Sequence, residues 1–378
     1  MTAFKKYLLY DLKKNVLRSA VFAFIAAVVS VVYVASYDTS FDSLGFNYFR
    51  TVYGGMGYGY YYDTFTYVYV TALLLSLFIP VFQNYQMKRK RDLDLLFSLP
   101  VSRTAIAAGS YLSGLIQSAG IILVQIVTGA ISSVFFLPYF KVIPFIYMYA
   151  GVIFGIVCYY SIVNFLISKA NTVIDGAFSV AGFYLLWNNL SALCREILYL
   201  NQNDHIKYYL TSVLKFSSQA FYISSSDPFF LIHDPVRYSE RLIDMSTYYG
   251  SYITYSEYHG QTIGVYLMGG VIFFILAVLS VIFYMKSFKE YRAENAGGVS
   301  DTGYGLKFLI PAVGLSSILL TFFDSGALPS VAVLIIMFGA YCLYRRSFRL
   351  KLSDITVLGA GVIYAAVSAI VNAYGGLL

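Results

Sequence analysis

The sequence predicts an all-α polytopic membrane protein of about nine transmembrane helices. Three observations lead there. Apolar residues make up 59% of the 378-residue chain and charged residues only 12%. Mean hydropathy is +0.68. The apolar residues also gather into nine runs, each near the length of a membrane crossing. A soluble domain is about 45–50% apolar and about 25% charged, so half the usual surface charge is missing. That excludes a disordered chain, a nucleic-acid-binding tail and an ordinary cytosolic enzyme.

The elements follow in chain order. Thr2–Leu17 is short and basic, with Phe4, Tyr7, Leu8, Leu12 and Val16 at helical spacing. Such a helix lies in the cytoplasmic interface with its lysines toward anionic headgroups; the plainer alternative is a charged flank of the first span. A helix crosses about 30 Å of hydrocarbon with about 20 apolar residues, because only a helix satisfies its own backbone there. The runs that meet this are Ser19–Tyr37, Phe65–Gln83, Thr104–Leu137, Pro144–Ser168, Thr172–Cys194, Gln261–Met285, Phe308–Phe323, Leu328–Tyr344 and Ile355–Ala373. Ser36-Tyr37-Asp38 is not an A-x-A-like exit, so the first run is expected to stay as a span. The third is too long for a straight crossing and calls for tilt or an interfacial end. The last is rich in Gly and Ala with Asn372 near its end, so a re-entrant segment, with eight or ten spans, is the alternative.

Orientation follows from the cations. With the N-terminus cytoplasmic, 19 of the 26 Lys and Arg residues fall inside. Five of the outside cations sit in one long loop, which crosses regardless of charge, leaving 19 against 2. The net charge of +7 is then topology-setting charge rather than a sign of an anionic partner. Cys158, Cys194 and Cys342 lie in or beside apolar runs without pairing or metal spacing, as small hydrophobes do.

Two outer loops carry no recognisable chemistry. Gly54 to Gly59 is glycine-rich, but a phosphate cradle needs a strand before it and a helix after it. Its tyrosines fit the mouth of a span instead. Arg195–Gly260 holds His205, His233 and His259 with Asp204 and Asp234 nearby, yet no metal-ligand spacing. Its many tyrosines predict a small extracellular cap.

The cytoplasmic loop after the second span is different. In Met87–Arg103, Leu93, Leu96 and Phe97 share one helical face, while Lys90, Arg91 and Asp94 face water or a partner. Pro100 ends the helix, since the residue before a proline is pushed out of α geometry. A short amphipathic helix tied between two spans makes a lever that a soluble partner can push; the alternative is a basic hairpin that only sets topology.

The stretch KRKRDLDLLFSLPVSRTAIAAGSYLSGL, residues 88–115, resembles the signature of bacterial ABC-exporter permeases of the drug, antibiotic-peptide and polymer class. YRAENAG, Tyr291 to Gly297, is similar to a second element of that family. The layout resembles the family over roughly residues 1–300, and the specific motifs cover about 35 residues. Ser110 stands where the family often has a lysine, so no role is carried to it.

The resemblance implies an interfacial helix (1–18), spans one to five (19–194) enclosing a coupling loop (84–104), and an extracellular loop domain (195–260). Span six (261–285), a cytoplasmic basic loop (286–307) and extra C-terminal spans (308–378) complete it. It implies a permease in the bacterial cytoplasmic membrane working with separate ABC ATPase subunits, which bind ATP and Mg. Lys90, Arg91, Asp92, Asp94, Leu95, Leu96, Pro100 and Arg103 would couple to the ATPase. This chain has no G-x-x-x-x-G-K-[ST] and is not expected to be an enzyme by itself. A second permease chain, identical or different, and membrane lipid are the other implied partners; nucleic acid is not.

Polar groups within spans are costly and default to functional candidates. Gln117, Gln125, Asn164, Asn188 and Asn189 are therefore candidates for a substrate path. The competing explanation is interhelical hydrogen bonding, worth about 0.6 kcal/mol on average. Asp175, at the cytoplasmic end of the fifth span, needs no special role at headgroup level. Cargo for such a path would be an amphipathic peptide, antibiotic or lipid-like molecule. The rivals are a secondary transporter and a ligand-sensing membrane protein using the outer loop.

Overall fold

The computed structural model describes residues 3–38, 66–98, 100–136, 143–199, 255–290, 298, 305–324 and 327–375. Within them the chain forms eleven α-helices and no strand. In chain order they are α1 (Ala3–Lys14), α2 (Val16–Asp38), α3 (Thr66–Tyr85), α4 (Lys90–Phe97), α5 (Arg103–Phe136) and α6 (Ile143–Lys169). After these come α7 (Val173–Tyr199), α8 (Tyr255–Glu290), α9 (Leu306–Asp324), α10 (Ala327–Arg345) and α11 (Leu352–Gly375). Each of the nine apolar runs lies almost wholly within a single helix.

Among the described residues four segments are long and apolar enough to cross a membrane: Val16–Ala35, Arg103–Phe136, Tyr149–Lys169 and Val271–Lys289. Val70–Tyr85 taken with Lys90–Phe97 as one broken span makes up to five, and Leu306–Leu320, Pro329–Arg345 and Leu352–Val367 are shorter apolar helices. This is the architecture of a polytopic membrane protein. The 34-residue α5 is about 51 Å long at 1.5 Å per residue, well beyond the hydrocarbon thickness.

The chain divides into two compact units. The first comprises α1, α2 and α5, with α3 to Gln83, α6 to Val163 and α8 to Lys289. Its mast is α5, and the residues that face inward explain why. Gly109, Ser110, Ser113, Gly114, Gln117, Ser118, Ile121, Ile122, Gln125, Ile126, Gly129, Ser132 and Ser133 are buried, a seam of mostly small and polar side chains at helical spacing. The opposite face carries exposed Leu112, Ile116, Leu123, Val124, Val127, Ile131 and Val134. Lipid gives helices no hydrophobic reason to associate, so close approach and hydrogen bonds must do it.

The seam supplies both. A Cβ on Gly109 would stand 2.6 Å from the Tyr7 ring of α1, so only glycine lets α1 seat there. From α2, Arg18 Nη2 and the Ser19 hydroxyl donate to Gln117 Oε1 at 2.8 and 3.2 Å. Gln117 Nε2 passes the chain on to the Ser113 hydroxyl at 2.9 Å. One level along, the Ser30 hydroxyl donates to the Gln125 carbonyl at 3.0 Å, and Gln125 Nε2 donates to Thr71 Oγ1 of α3 at 2.9 Å. Ala26, Val34, Val68, Ala72, Ile79, Ile122 and Ile156 fill the apolar space between these layers. The N-terminal helix is thus packed on α5 through buried Tyr7, while Lys5, Lys6, Lys13 and Lys14 stay exposed. Burial, chiefly, holds the Asp11 carboxyl above its usual range against the pull of Ser113, Arg18, Lys14 and Asn15.

The second unit comprises Asn84–Ser98, the end of α6 from Asn164, α7 and α9 to α11. The helices α9 to α11 pack around Leu306, Ile310, Met337, Tyr341 and Tyr344. Where α10 turns into α11, Arg345 grips Asp354 bidentately, Nε to Oδ2 at 3.1 Å and Nη2 to Oδ1 at 3.0 Å. Asp354 also accepts the Lys351 N–H at 3.1 Å and so caps α11. Asp354→Asn keeps the shape but removes the charge. It is expected to destabilise the protein by about 2 kcal/mol, read as a lower melting temperature in detergent.

Candidate functional site

The 84–104 loop folds into a 3₁₀ turn (Gln86–Lys88), the eight-residue α4 and a short connection to α5. Arg89 holds the N-cap position with extended backbone, φ −106° and ψ 123°, and makes no side-chain cap bond. Its guanidinium turns back instead, donates to the Tyr85 hydroxyl and stands 4.3 Å over that ring. Asp92 in the first turn is where the helix dipole favours an acid. At the far end the Ser98 N–H donates to the Asp94 carbonyl at 3.0 Å and its hydroxyl to the Leu95 carbonyl at 2.8 Å. The helix therefore stops at Phe97, just before exposed Pro100.

The two faces of α4 divide as the spacing predicts. Leu93 is fully enclosed, Leu96, Phe97 and Asp92 are half-buried, and Lys90, Arg91 and Asp94 are exposed. Leu95 is 63% exposed among those charges. Arg103 has an intramolecular contact as well. It is exposed, yet its Nη1 donates to the Lys289 carbonyl at 3.3 Å, a cation on the last turn of α8.

Beneath α4 lies a residue that the charge pattern does not single out. Lys88 is only 7% exposed. Its Nζ donates to the Ser168 carbonyl at 3.0 Å and to the Ala170 carbonyl, the last acceptors of α6 and its following turn. Burial pulls its pKa down to about 7, with the Asp175 carboxylate acting the other way. Asp175 sits in the first turn of α7, where its N–H donates to Thr172 Oγ1 at 3.1 Å. The Asp175 charge thus favours the protonated form of a buried lysine.

Asp175 has a second cation. Arg346 Nη2 reaches its Oδ2 at 4.0 Å, with the arginine side chain 49% exposed and the aspartate 13%. Arg346 also has φ 52°, the one positive-φ non-glycine among the described residues. It closes α10: the Ser347 N–H bonds to the Cys342 carbonyl and the Arg346 N–H to the Leu343 carbonyl, both at 3.2 Å. That is a Schellman ending with arginine where glycine is the usual residue. The left-handed backbone costs about 1–2 kcal/mol, whereas a half-exposed ion pair returns about 0.2–1 kcal/mol.

The candidate path residues sit in separate helix contacts. Gln117 and Gln125 occupy the α5 seam, eight residues apart or about 12 Å along the helix. Asn84 Nδ2 donates to Asn164 Oδ1 at 2.7 Å, joining α3 to α6. Asn189 Nδ2 donates to Ser316 and Ser317 of α9 at 3.0 and 2.7 Å. Asn188 alone of the five is exposed. Among the described residues, the Gln125 Oε1 and Asn164 Nδ2 atoms are buried without a hydrogen-bond partner.

Sequence reasoning missed Lys88, Asp175 and Arg346 as a set. Nothing in the Lys88-Arg89-Lys90-Arg91 run distinguishes its first member; the 3₁₀ turn does. The 39–65 and 200–254 parts of the outer loops, with His205, His233, Asp204 and Asp234, and the Tyr291–Gly297 element lie outside the described residues. No protein-family model matches the chain, and no curated protein or solved structure matches it.

Proposed function

We propose that the chain is the permease subunit of a bacterial ABC exporter, with nine crossings and the N-terminus cytoplasmic. It moves or extracts an amphipathic peptide, antibiotic or lipid-like molecule, powered by a separate ATPase that binds ATP and Mg. A second permease chain completes the pathway. The observation that carries this reading is α4: eight residues between two apolar helices, rooted by Leu93 and presenting Lys90, Arg91, Asp94 and Leu95 outward. A topology-setting hairpin needs the cations but neither the enclosed leucine nor the exposed one. ATPase closure can move the permease only through differential contact with its two states. Shifting such an equilibrium from 1:99 to 99:1 takes about 5.5 kcal/mol.

The test is copurification from native membranes in mild detergent, comparing wild type with Asp94→Lys plus Leu95→Glu. Both side chains are exposed, so the fold is expected to survive within about 0.5 kcal/mol per site. An ATP-binding subunit recovered with wild type and lost with the variant is the expected result. No ATPase with either protein, under conditions that preserve other ABC complexes, sinks the proposal.

A further inference from the structure

We infer that the α10–α11 connector is a binding site for anionic lipid, Arg349 and Lys351 taking headgroup phosphates while Phe348 and Leu352 enter the acyl boundary beside them. This rests on the reading of α10 and α11 as crossings, and it adds a ligand that the exporter reading does not require. Every residue concerned belongs to one compact unit.

The connector is a built turn. Left-handed Arg346 closes α10, the Arg349 N–H donates to Ser347 Oγ at 3.1 Å, and the Lys351 N–H donates to Asp354 Oδ2 at 3.1 Å. Leu350 packs inward against the core of α9 to α11. Its neighbours are left outside: Phe348 is 85% exposed and Leu352 78%, with Arg349 and Lys351 exposed between them. The nearest acid in sequence, Asp354, is buried and gripped by Arg345. Among the described residues neither the Arg349 nor the Lys351 side chain has a hydrogen-bond or ion-pair partner. Two observations identify the occupant. Exposed Leu343 and Ile355 continue the apolar surface of Phe348 and Leu352 onto α10 and α11, so the patch adjoins the outer faces of two apolar helices. The 19 residues of α10 also make about 28 Å, near the hydrocarbon thickness, which sets the connector at headgroup depth. There an aromatic ring settles at the boundary, and phosphates supply the charge that the two cations lack. A loop that only sets topology needs the cations, but not two apolar side chains displayed on an ordered turn.

The test uses the full chain in phosphatidylcholine vesicles, with Trp187, its one tryptophan, changed to Phe. Phe348→Trp then places a fluorophore on the connector, and Ile336→Trp, in a separate sample, places one at the exposed middle of α10. Part of the lipid is replaced by phosphatidylglycerol or phosphatidylcholine brominated near the headgroup end of its chains, at equal mole fraction. Brominated phosphatidylglycerol should quench Phe348→Trp far more strongly than brominated phosphatidylcholine. Each cation near an anionic surface should raise that preference about fivefold. Adding Arg349→Gln and Lys351→Gln should therefore cut it more than about tenfold, while Arg349→Lys should keep it. These side chains are exposed, so melting temperatures should hold. Ile336→Trp should be quenched by both lipids without preference. Equal quenching of Phe348→Trp by the two lipids overturns the inference, as does a preference that survives loss of both cations. No quenching of Phe348→Trp, with Ile336→Trp quenched, overturns it too and leaves the nine crossings standing. No quenching of either removes α10 as a crossing, and the nine-crossing reading falls with the inference.

Discussion

Lys88→Met is expected to destabilise the detergent-solubilised protein by about 3 kcal/mol near neutral pH. Methionine preserves the length and the apolar stem but offers nothing to the Ser168 and Ala170 carbonyls. Each buried acceptor left without a donor costs about 1–3 kcal/mol, and the desolvation that Lys88 no longer suffers offsets part of the sum. The pH dependence separates the two effects. In the folded protein burial pulls the Lys88 pKa down to about 7 from 10.5. Between those values the unfolded chain holds a proton that the native one lacks, so stability rises with pH across that window. Below about 7 both states are protonated and the slope vanishes. The advantage of wild type over Lys88→Met should therefore be larger at pH 9 than at pH 6.5. Thermal unfolding of both proteins at the two pH values measures it; equal differences would mean that Lys88 is not buried as an amine.

Gly114→Val is expected to be as damaging for a steric reason. A Cβ at Gly114 would strike the Tyr160 hydroxyl and the Gln83 side chain, which are hydrogen-bonded to one another. Gln83 could swing aside, but Tyr160 is fully buried and packed edge-on against Tyr111, with ring centroids 5.5 Å apart. Tyr111 is in turn 6.2 Å from Tyr284 of α8. Overpacking costs about 1–3 kcal/mol, and breaking the Tyr160–Gln83 bond adds about 1 kcal/mol, so a loss of about 3 kcal/mol is expected. Among the described residues, nothing stands within 4 Å of where a Cβ on Gly120, on the same helix, would lie. Gly120→Ala should be neutral or stabilise by up to about 1 kcal/mol. Parallel melting curves of the two variants check the pair. Equal curves would show that α5 is not packed at Gly114.

The helices were legible because membrane crossing imposes one strong local rule. An apolar run near 20 residues can only be a helix, so Ser19–Tyr37 and its eight counterparts needed no tertiary information. The face of α4 was legible too, since Leu93, Leu96 and Phe97 declare a period. What resisted was everything that depends on which helix meets which. Gln117 and Asn189 read as polar groups in search of a role, and only the folded chain hands them Arg18 and Ser316. Gly109 and Gly114 look like any other glycines of an apolar run until Tyr7 and Tyr160 arrive opposite them. Lys88 hid for the opposite reason. A cation beside a span is so well explained by topology that its burial leaves no trace in the pattern.

The division of α5 has a practical consequence for making this protein outside a bilayer. Soluble helices keep large apolar residues within and polar ones without; α5 instead buries most of its small and polar residues, with Ile106, Ile121, Ile122 and Ile126 among them, and turns many of its large apolar ones outward. Its inner contacts combine isoleucine packing with hydrogen bonds and close glycine approaches, which do not need lipid to persist. Conversion to a water-soluble form could leave the seam untouched and rewrite only the outer face, at Leu112, Ile116, Leu123, Val124, Val127, Ile131 and Val134. Glutamate and lysine at those seven positions would retain helix propensity while supplying the charge that the composition lacks.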